Sequence, residues 1–506
     1  MAQSPELAGG EGFTFEGDAA AFYLTALLAE AYAPGVDDRI VVGVSVQQRD
    51  FGEPLDDVIV DFEDATKGAA RLSLQVKRSL TISKADTNTD FRDIIRDSWA
   101  TLRKSDFRIN ADRYGVAVGT VAPAKERALK TLCDWARESL TADHFDARFA
   151  PGGSAGASIK VVKEDVIVLL EEAKGAPCTL EEVHQFVAHF VLVQFDFLRE
   201  GATDPPDAIN RIRDCLMPDD AATAPLVWSR VVQLARSSAG KSGQFDRARL
   251  VRSIASVARL LGATSFRRDL EKLMEIAKSY ASLIPDDVGG TRLDRTSLLE
   301  SLNAKLTAAR VVQIRGLPGS GKSVLVKRAV LRALERGPIL FLKAEQLEGT
   351  NWISYAASHG LSDAPLERLL VEVGAAGTPT FFIDAIDRIE KEHQPIVVDV
   401  IRTIVESPLL DHWRVIVSLR DTGIEVLRNW LGDFLDVLKI ETLGVDQLNN
   451  EEAETLAIAK PHLRPLLFGA PQVREIVRRP FFAKVLNQAT LLLRPSRRSP
   501  RNQRSI

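Results

Sequence analysis

The sequence predicts an α/β protein: two α/β regions, with helical sequence between them and again after the second. Three observations carry this reading. Residues 13–165 run in the order helix, hairpin, helix, strand; residues 166–290 offer helical patterns alone; and from 291 strand and helix signals alternate as they do in a parallel sheet. The length of 506 residues exceeds one typical domain, and 45% apolar with 26% charged residues lets each part bury a core.

Taken in order, residues 1–12 read as a flexible leader. Tyr23, Leu24, Leu27, Leu28 and Ala31 then recur at helical spacing. Residues 54–79, PLDDVIVDFEDATKGAARLSLQVKRS, read as two strands joined by a turn. Phe91, Ile94, Ile95, Trp99 and Leu102 form one helical stripe, and a further strand starts at Tyr114. The stretch EEVHQFVAHFVLVQFDFLRE is apolar around most of a helical circumference and is expected to be a buried helix, broken by GATDPPD and followed by helices such as PLVWSRVVQLARS. RVVQIRG, GPILFLKA, TPTFFIDA and WRVIVSLR supply the strands of the second α/β region, 291–443. Residues 444–492 read as helical, and the Arg-rich end 493–506 as a basic, disordered tail.

Composition narrows the function classes. A net charge of −4 gives no global basicity, so nucleic-acid binding would need a local patch. Three well-separated cysteines suit a reducing cytoplasm better than a disulfide framework. No basic-then-apolar leader and no apolar run of about 18 residues is present, so a cytoplasmic protein with no membrane partner is expected. His184 and His189 are five apart, off a shared helix face, and read as structural.

The strongest motif is GLPGSGKS, Gly316 to Ser323, between the strand VVQIR and the helical run VLVKRAVLRAL. Gly316, Gly319, Ser320 and Gly321 let backbone N–H groups close on phosphate oxygens, with the positive end of a helix behind them. Lys322 is expected at the β- and γ-phosphates and Ser323 at Mg²⁺. Asp384, ending the strand TPTFFID, is placed to hold Mg²⁺ through water, Asp387 to orient an attacking water, and Arg420 to sense the γ-phosphate. A second GKS, at Gly240, lacks the leading glycine and follows a helical pattern, so it is set aside.

GLPGSGKS, FFIDAIDRI and IVSLR, followed by helical sequence through RRPFFAKVL, resemble the STAND class of NTPases, close to its NACHT branch, over roughly 290–490. The resemblance implies a STAND/AAA+-like P-loop domain that binds ATP with Mg²⁺ and carries a short helical subdomain. Arg388 stands where such proteins commonly carry an acid after the second Asp, so ATP binding is a safer expectation than rapid hydrolysis.

In the strand ending at Lys77, alternation puts Leu72, Leu74 and Val76 on one face and Ser73, Gln75 and Lys77 on the other. An antiparallel partner brings Asp57 near Gln75 and Lys77. Asp57 and the Gln75 carbonyl oxygen can ligate a divalent metal, Lys77 can orient water or neutralise developing charge, and Glu16 can complete the metal shell. Phosphodiester hydrolysis asks for on the order of 20 kcal/mol of barrier reduction, which calls for metal charge. The order GFTFE, PLDD, LQVK over residues 12–165 resembles the PD-(D/E)xK nuclease superfamily, in the Mrr-like form found as the double-stranded DNA endonuclease of bacterial CBASS and related defence proteins. The resemblance implies a restriction-endonuclease-like fold with Mg²⁺ or Mn²⁺ at Asp57 and Gln75, Gln75 taking the place of the usual acid.

Together the two resemblances imply an antiviral protein whose NTPase module controls a nuclease acting on double-stranded DNA. They imply a homo-oligomer on activation, and a foreign (phage) protein as trigger through a C-terminal sensor that is expected to be missing here, either lost or removed by truncation or a frame shift. The alternative is a nucleotide-dependent switch or scaffold whose N-terminal domain binds DNA or protein without cutting. A restriction-type translocase would need helicase motifs after the phosphate loop, and none follows.

Overall fold

Apolar residues on one face and the turn at 65–67 make Val58–Asp64 and Gly68–Leu80 an antiparallel pair, with Val58 opposite Leu74 and Val60 opposite Leu72. The computed structural model describes residues 5–239, 242–435 and 438–492, which divide into two units, Met1–Thr264 and Ser265–Ile506.

The first unit opens with helix α1 (Pro5–Ala29), followed by β1 (Tyr32–Ala33), β2 (Val36–Val46), β3 (Val58–Asp64) and β4 (Gly68–Leu80). Next come α2 (Thr89–Leu102), β5 (Arg113–Val121), α3 (Pro123–Glu138), α4 (Ala142–Ala147), α5 (Ala157–Lys174), α6 (Leu180–His189) and β6 (Phe190–Gln194). The unit closes with α7 (Asp204–Cys215), α8 (Ala224–Ala239), β7 (Gln244–Asp246) and α9 (Arg247–Ile254). Its mixed sheet runs β1-β2-β3-β4-β5-β6, with β7 paired to β2; β4, β5 and β6 are parallel to one another. Tyr114, Val116 and Val118 enter a core shared with α2, α3, α5 and α6, while Ala117 between them is buried on the opposite face. Helix α1 packs on β2, α7 and α8, and its Phe15, Phe22 and Tyr23 meet Phe195 and Phe197, which follow β6.

Three expectations need correction here. Residues 166–264 are not a helical linker but part of the first unit. The expected long helix after Glu181 stops at His189, and FVLVQ continues as strand β6 alongside β5. A short apolar run does not distinguish buried helix from buried strand; the partner strand decides, and Gly115 lets the β6 backbone approach so closely that a Cβ there would lie 1.9 Å from the Val191 carbonyl oxygen. The leader assignment fails for residues 5–12, which lie in α1, and the 11-residue strand β2 was not foreseen. His184 and His189 are structural as expected: they bond to the carbonyls of Ala136, Gln185 and Ile109.

The second unit begins with α10 (Arg267–Ser282), the hairpin β8 (Asp287–Val288) and β9 (Thr291–Arg292), and α11 (Thr296–Ala308). It continues through β10 (Val311–Arg315), α12 (Lys322–Leu334), β11 (Leu340–Lys343), α13 (Trp352–Ser358), α14 (Leu366–Ala376) and β12 (Thr380–Asp384). Then follow α15 (Gln394–Glu406), β13 (Arg414–Ser418), α16 (Ile424–Leu435), β14 (Ile440–Gly444) and helices α17 (Asn450–Ala459), α18 (Arg464–Leu467), α19 (Pro471–Val477) and α20 (Pro480–Leu492). The sheet is wholly parallel, in the order β11-β12-β13-β10-β14. Strand β14 escaped the sequence reading. Ile276 and Tyr280 of α10 share the core of Val312, Phe341, Phe382 and Ile416, so residues 265–290 also belong to this unit and not to a linker. Val288 and Leu293 pack with Leu456, Leu467 and Val477 of the helical end. The glycine and lysine of the second GKS, residues 240–241, and the basic tail, 493–506, lie outside the described residues.

Candidate functional site

In the first unit, Asp57 sits immediately before β3, its backbone oxygen accepting from Gln47 N–H at 3.2 Å. Its side chain turns towards β4. Oδ2 accepts from the Gln75 side-chain amide at 2.5 Å and from the Val76 backbone N–H at 2.7 Å. Glu16, held by the fully buried Phe15 beside it in α1, accepts a bond from the Gln47 side-chain amide. Lys77 pairs with Asp90, in the first turn of α2, at 2.9 Å. The four residues nominated from sequence thus come from α1, the β3 entrance and β4 to one place.

The electrostatics tie them together. Burial pushes the Asp57 carboxyl up to about 7, reinforced by the nearby negative charges of Glu16 and Asp56 and opposed by Val76 N–H and Lys77. Burial likewise raises Glu16, against the Gln47 bond and Lys77. Two neighbouring carboxyls that resist ionisation are a suitable donor set for a divalent cation, whose charge relieves both their repulsion and their desolvation. The Gln75 nitrogen faces Asp57 here; turned over, the same amide offers its oxygen. The Mg²⁺ or Mn²⁺ expected from sequence therefore fits this site. Gln47, which has a positive φ of 53° at the end of β2, was missed; only its polarity after an apolar strand could have flagged it.

In the second unit, β10 delivers the loop Gly316–Gly321 and α12 begins at Lys322. Gly319 and Gly321 hold φ of 78° and 105°, the left-handed backbone that a phosphate cradle needs. A Cβ at 319 would come within 3.0 Å of Phe481, whose N–H donates to the Gly319 oxygen at 3.3 Å. Lys322 Nζ donates to the carbonyls of Gly316 and Leu317 at 2.8 and 3.1 Å, and burial lowers its pKa despite Asp387, Asp421 and Asp384 nearby. Ser320 lies within the loop, buried, with its hydroxyl unpartnered.

Ser323 Oγ donates to Asp384 Oδ1 at 2.9 Å, which brings together the two residues expected at Mg²⁺. Ser418, absent from the sequence reading, donates to the same oxygen at 2.5 Å and accepts from Ala385 N–H. Burial holds the Asp384 carboxyl up, partly offset by these two hydroxyls. A buried carboxylate whose partners include a hydroxyl suited to Mg²⁺ fits the expected ion with ATP. Asp387 and Arg420, assigned separately to water and γ-phosphate, instead bond to each other, Nε to Oδ2 at 2.6 Å.

A cavity of about 410 Å³ adjoins the loop, with Gly319, Gly321, Lys322 and Ser323 on one side and Pro285, Val288, Leu293, Leu298, Phe481 and Val485 on the other. The sequence reading missed it because its walls come from chain segments some 200 residues apart. Among the described residues, Glu390, Glu392 and His393 are the one group of three potential His, Cys, Asp or Glu ligands whose donor atoms lie within 4.8 Å of one another, and they are largely exposed.

No protein-family model matches the chain, and no curated protein matches it. Solved structures give only distant likenesses. The Acinetobacter baumannii Cap4 SAVED/CARF-domain receptor with the cyclic trinucleotide 2'3'3'-cAAA has 11% identity and a TM-score of 0.30, covering 76% of this chain and 62% of its own. The match to that structure spans less than two thirds of its chain. Another structure of that receptor gives 12%, 0.30, and coverage of 96% and 93%. The closed state of Hsp104 with ATPγS and FITC casein gives 12%, 0.27, and coverage of 83% and 82%. Likeness at this level assigns neither fold nor activity. No helix among the described residues is long and apolar enough to cross a membrane.

Proposed function

We propose that the chain is an ATP-regulated, metal-dependent endonuclease acting on double-stranded DNA, in a cytoplasmic anti-phage role. The observation that carries the nuclease reading is the convergence of Asp57, Glu16, Gln75 and Lys77, with Asp57 raised to about 7 by burial and by its acidic neighbours. Asp57, Glu16 and the Gln75 oxygen would hold Mg²⁺ or Mn²⁺, which when bound supplies Lewis-acid charge to the scissile phosphate and a more acidic water. Val76 N–H fixes the Asp57 carboxylate, and the Gln47 amide fixes Glu16. Lys77, partly exposed and paired with Asp90, is free to exchange that partner for the charge developing on phosphate.

The nucleotide reading rests on the Gly316–Ser323 cradle joined to Asp384. Loop N–H groups, Lys322 and Ser323 would take the triphosphate and its Mg²⁺, and the adjoining apolar cavity would take the nucleoside. A phage-protein trigger and activation as a homo-oligomer complete the proposal. A single ligand coupling supplies about 1–3 kcal/mol, whereas inverting a 1:99 equilibrium takes about 5.5 kcal/mol, so subunit contacts would add the remainder.

The test is to incubate the purified chain with plasmid, Mg²⁺ or Mn²⁺, and ATP, omitting each in turn. Cleavage that needs metal and increases with ATP supports the proposal. Absence of any metal binding at Asp57, with ATP binding retained, would leave the nucleotide-dependent switch, a reading favoured by the amide at position 75 in place of a third acid.

A further inference from the structure

Strands β11 and β12 pair in parallel with Lys343 opposite Asp384, so the segments that follow them leave over the same edge of the sheet. Beyond β12 come Asp387 and Arg388; beyond β11, the single turn Ala344–Gln346 carries Glu345. The two segments meet there. Arg388 Nη1 donates to Glu345 Oε1 at 2.9 Å, and the buried Lys343 ammonium bonds its other oxygen. With Lys343 opposite Asp384 and Arg388 bonded to Glu345, this carboxylate stands on the same edge of the sheet as Asp384, and its charge acts on Asp384.

The acids on this edge differ in what they have left to offer. The Asp387 side chain is 2% exposed and committed to Arg420, so it has little capacity to hold a water. The Glu345 side chain is 50% exposed, and its two cations fix its position without covering it. Asp421, beyond β13, is also exposed, but it acts on Lys322 and lines the other side of the loop with Gly316 and Leu317.

Resting on the nucleotide reading above, we infer that Glu345 is the carboxylate that orients the hydrolytic water, with Lys343 and Arg388 as its positioning residues and Asp387 in a structural role. In this step the water oxygen forms a bond to the γ-phosphorus as the bond to the β,γ-bridging oxygen breaks. That electron pair leaves with ADP; of the two water protons, one stays on inorganic phosphate and the other passes to solvent.

The test compares the full chain with Glu345→Gln, Glu345→Asp and Asp421→Asn. It reads ATPγS affinity by calorimetry, trapping of ADP with aluminium fluoride, and ATP turnover. Glu345→Gln should keep ATPγS affinity within about twofold and the melting temperature of the parent. It should lose about 100-fold in turnover together with the trapped complex, while Glu345→Asp regains part of both and Asp421→Asn, whatever its ATPγS affinity, still forms the trapped complex. Parental turnover in Glu345→Gln, loss of the trapped complex transferred to Asp421→Asn, or no turnover in a chain that binds ATPγS overturns the role of Glu345 alone. A chain that binds no ATPγS overturns the nucleotide reading and this assignment with it.

Discussion

The side-chain amide of Gln75 donates to Asp57 Oδ2 at 2.5 Å, joining the entrance of β3 to the middle of β4. That bond, with Val76 N–H on the same oxygen, stabilises a carboxylate that burial disfavours. The Asp57 pKa of about 7 lies above its ordinary value of 3.8, so between these values the folded chain keeps a proton that the unfolded chain has lost. Stability should therefore fall as pH rises from 4 to 7 and stay low above, with a contribution on the order of 4 kcal/mol. Asp57→Asn should flatten most of that slope and raise the melting temperature at neutral pH; Glu16, also held up by burial, keeps the remainder. Thermal melts across this range in EDTA check it. Added Mn²⁺ should raise the wild-type melting temperature above pH 7 and leave Asp57→Asn unmoved.

Lys77 is the one cation nominated for phosphate chemistry in the first unit, and Asp90 holds it through an exposed ion pair. Lys77→Ala should reduce plasmid cleavage by about 100-fold or more while ATP affinity is unchanged. Asp90→Asn, which removes a surface pair worth about 0–1 kcal/mol, should leave folding intact and cleavage within about tenfold. Plasmid nicking at the parental rate in Lys77→Ala would remove the nuclease assignment.

At Gly319 two requirements coincide: a φ of 78° and a neighbour, Phe481, that leaves a Cβ only 3.0 Å. Gly319→Ala should cost about 1 kcal/mol or more in the loop and weaken ATP binding. Lys322→Ala should weaken ATP binding without lowering the melting temperature, because burial already disfavours that ammonium. Fluorescent-nucleotide titration checks the loss of affinity in both, and thermal melts separate the two variants.

Gly115 tests where the first unit ends. Adding a methyl there meets the Val191 carbonyl oxygen at 1.9 Å and should part β5 from β6, at a cost of about 2–3 kcal/mol. A fragment ending at residue 165 lacks β6 and the helices that cover α1, and should be insoluble, whereas residues 1–264 should give a cooperative melt. Solubility and circular dichroism of the two fragments decide between them.

What the sequence by itself determined is what a few contiguous residues can specify. Gly316–Ser323 is legible because strand, loop and helix follow one another, and the backbone cradle is made within eight residues. Strands β3 and β4 are legible from alternation, and with them the approach of Asp57 to Gln75. The tertiary structure decided the rest, because the information lies in partners far along the chain. FVLVQ is a strand because β5 lies beside it with Gly115 opening the space. Gln47 meets Glu16, Arg388 meets Glu345 and Ser418 meets Asp384 across chain separations that no local spacing encodes. Asp387 looked available from its place after a strand, yet its side chain is buried against Arg420. Burial and pairing set what a carboxylate can do, and both are properties of the packed fold.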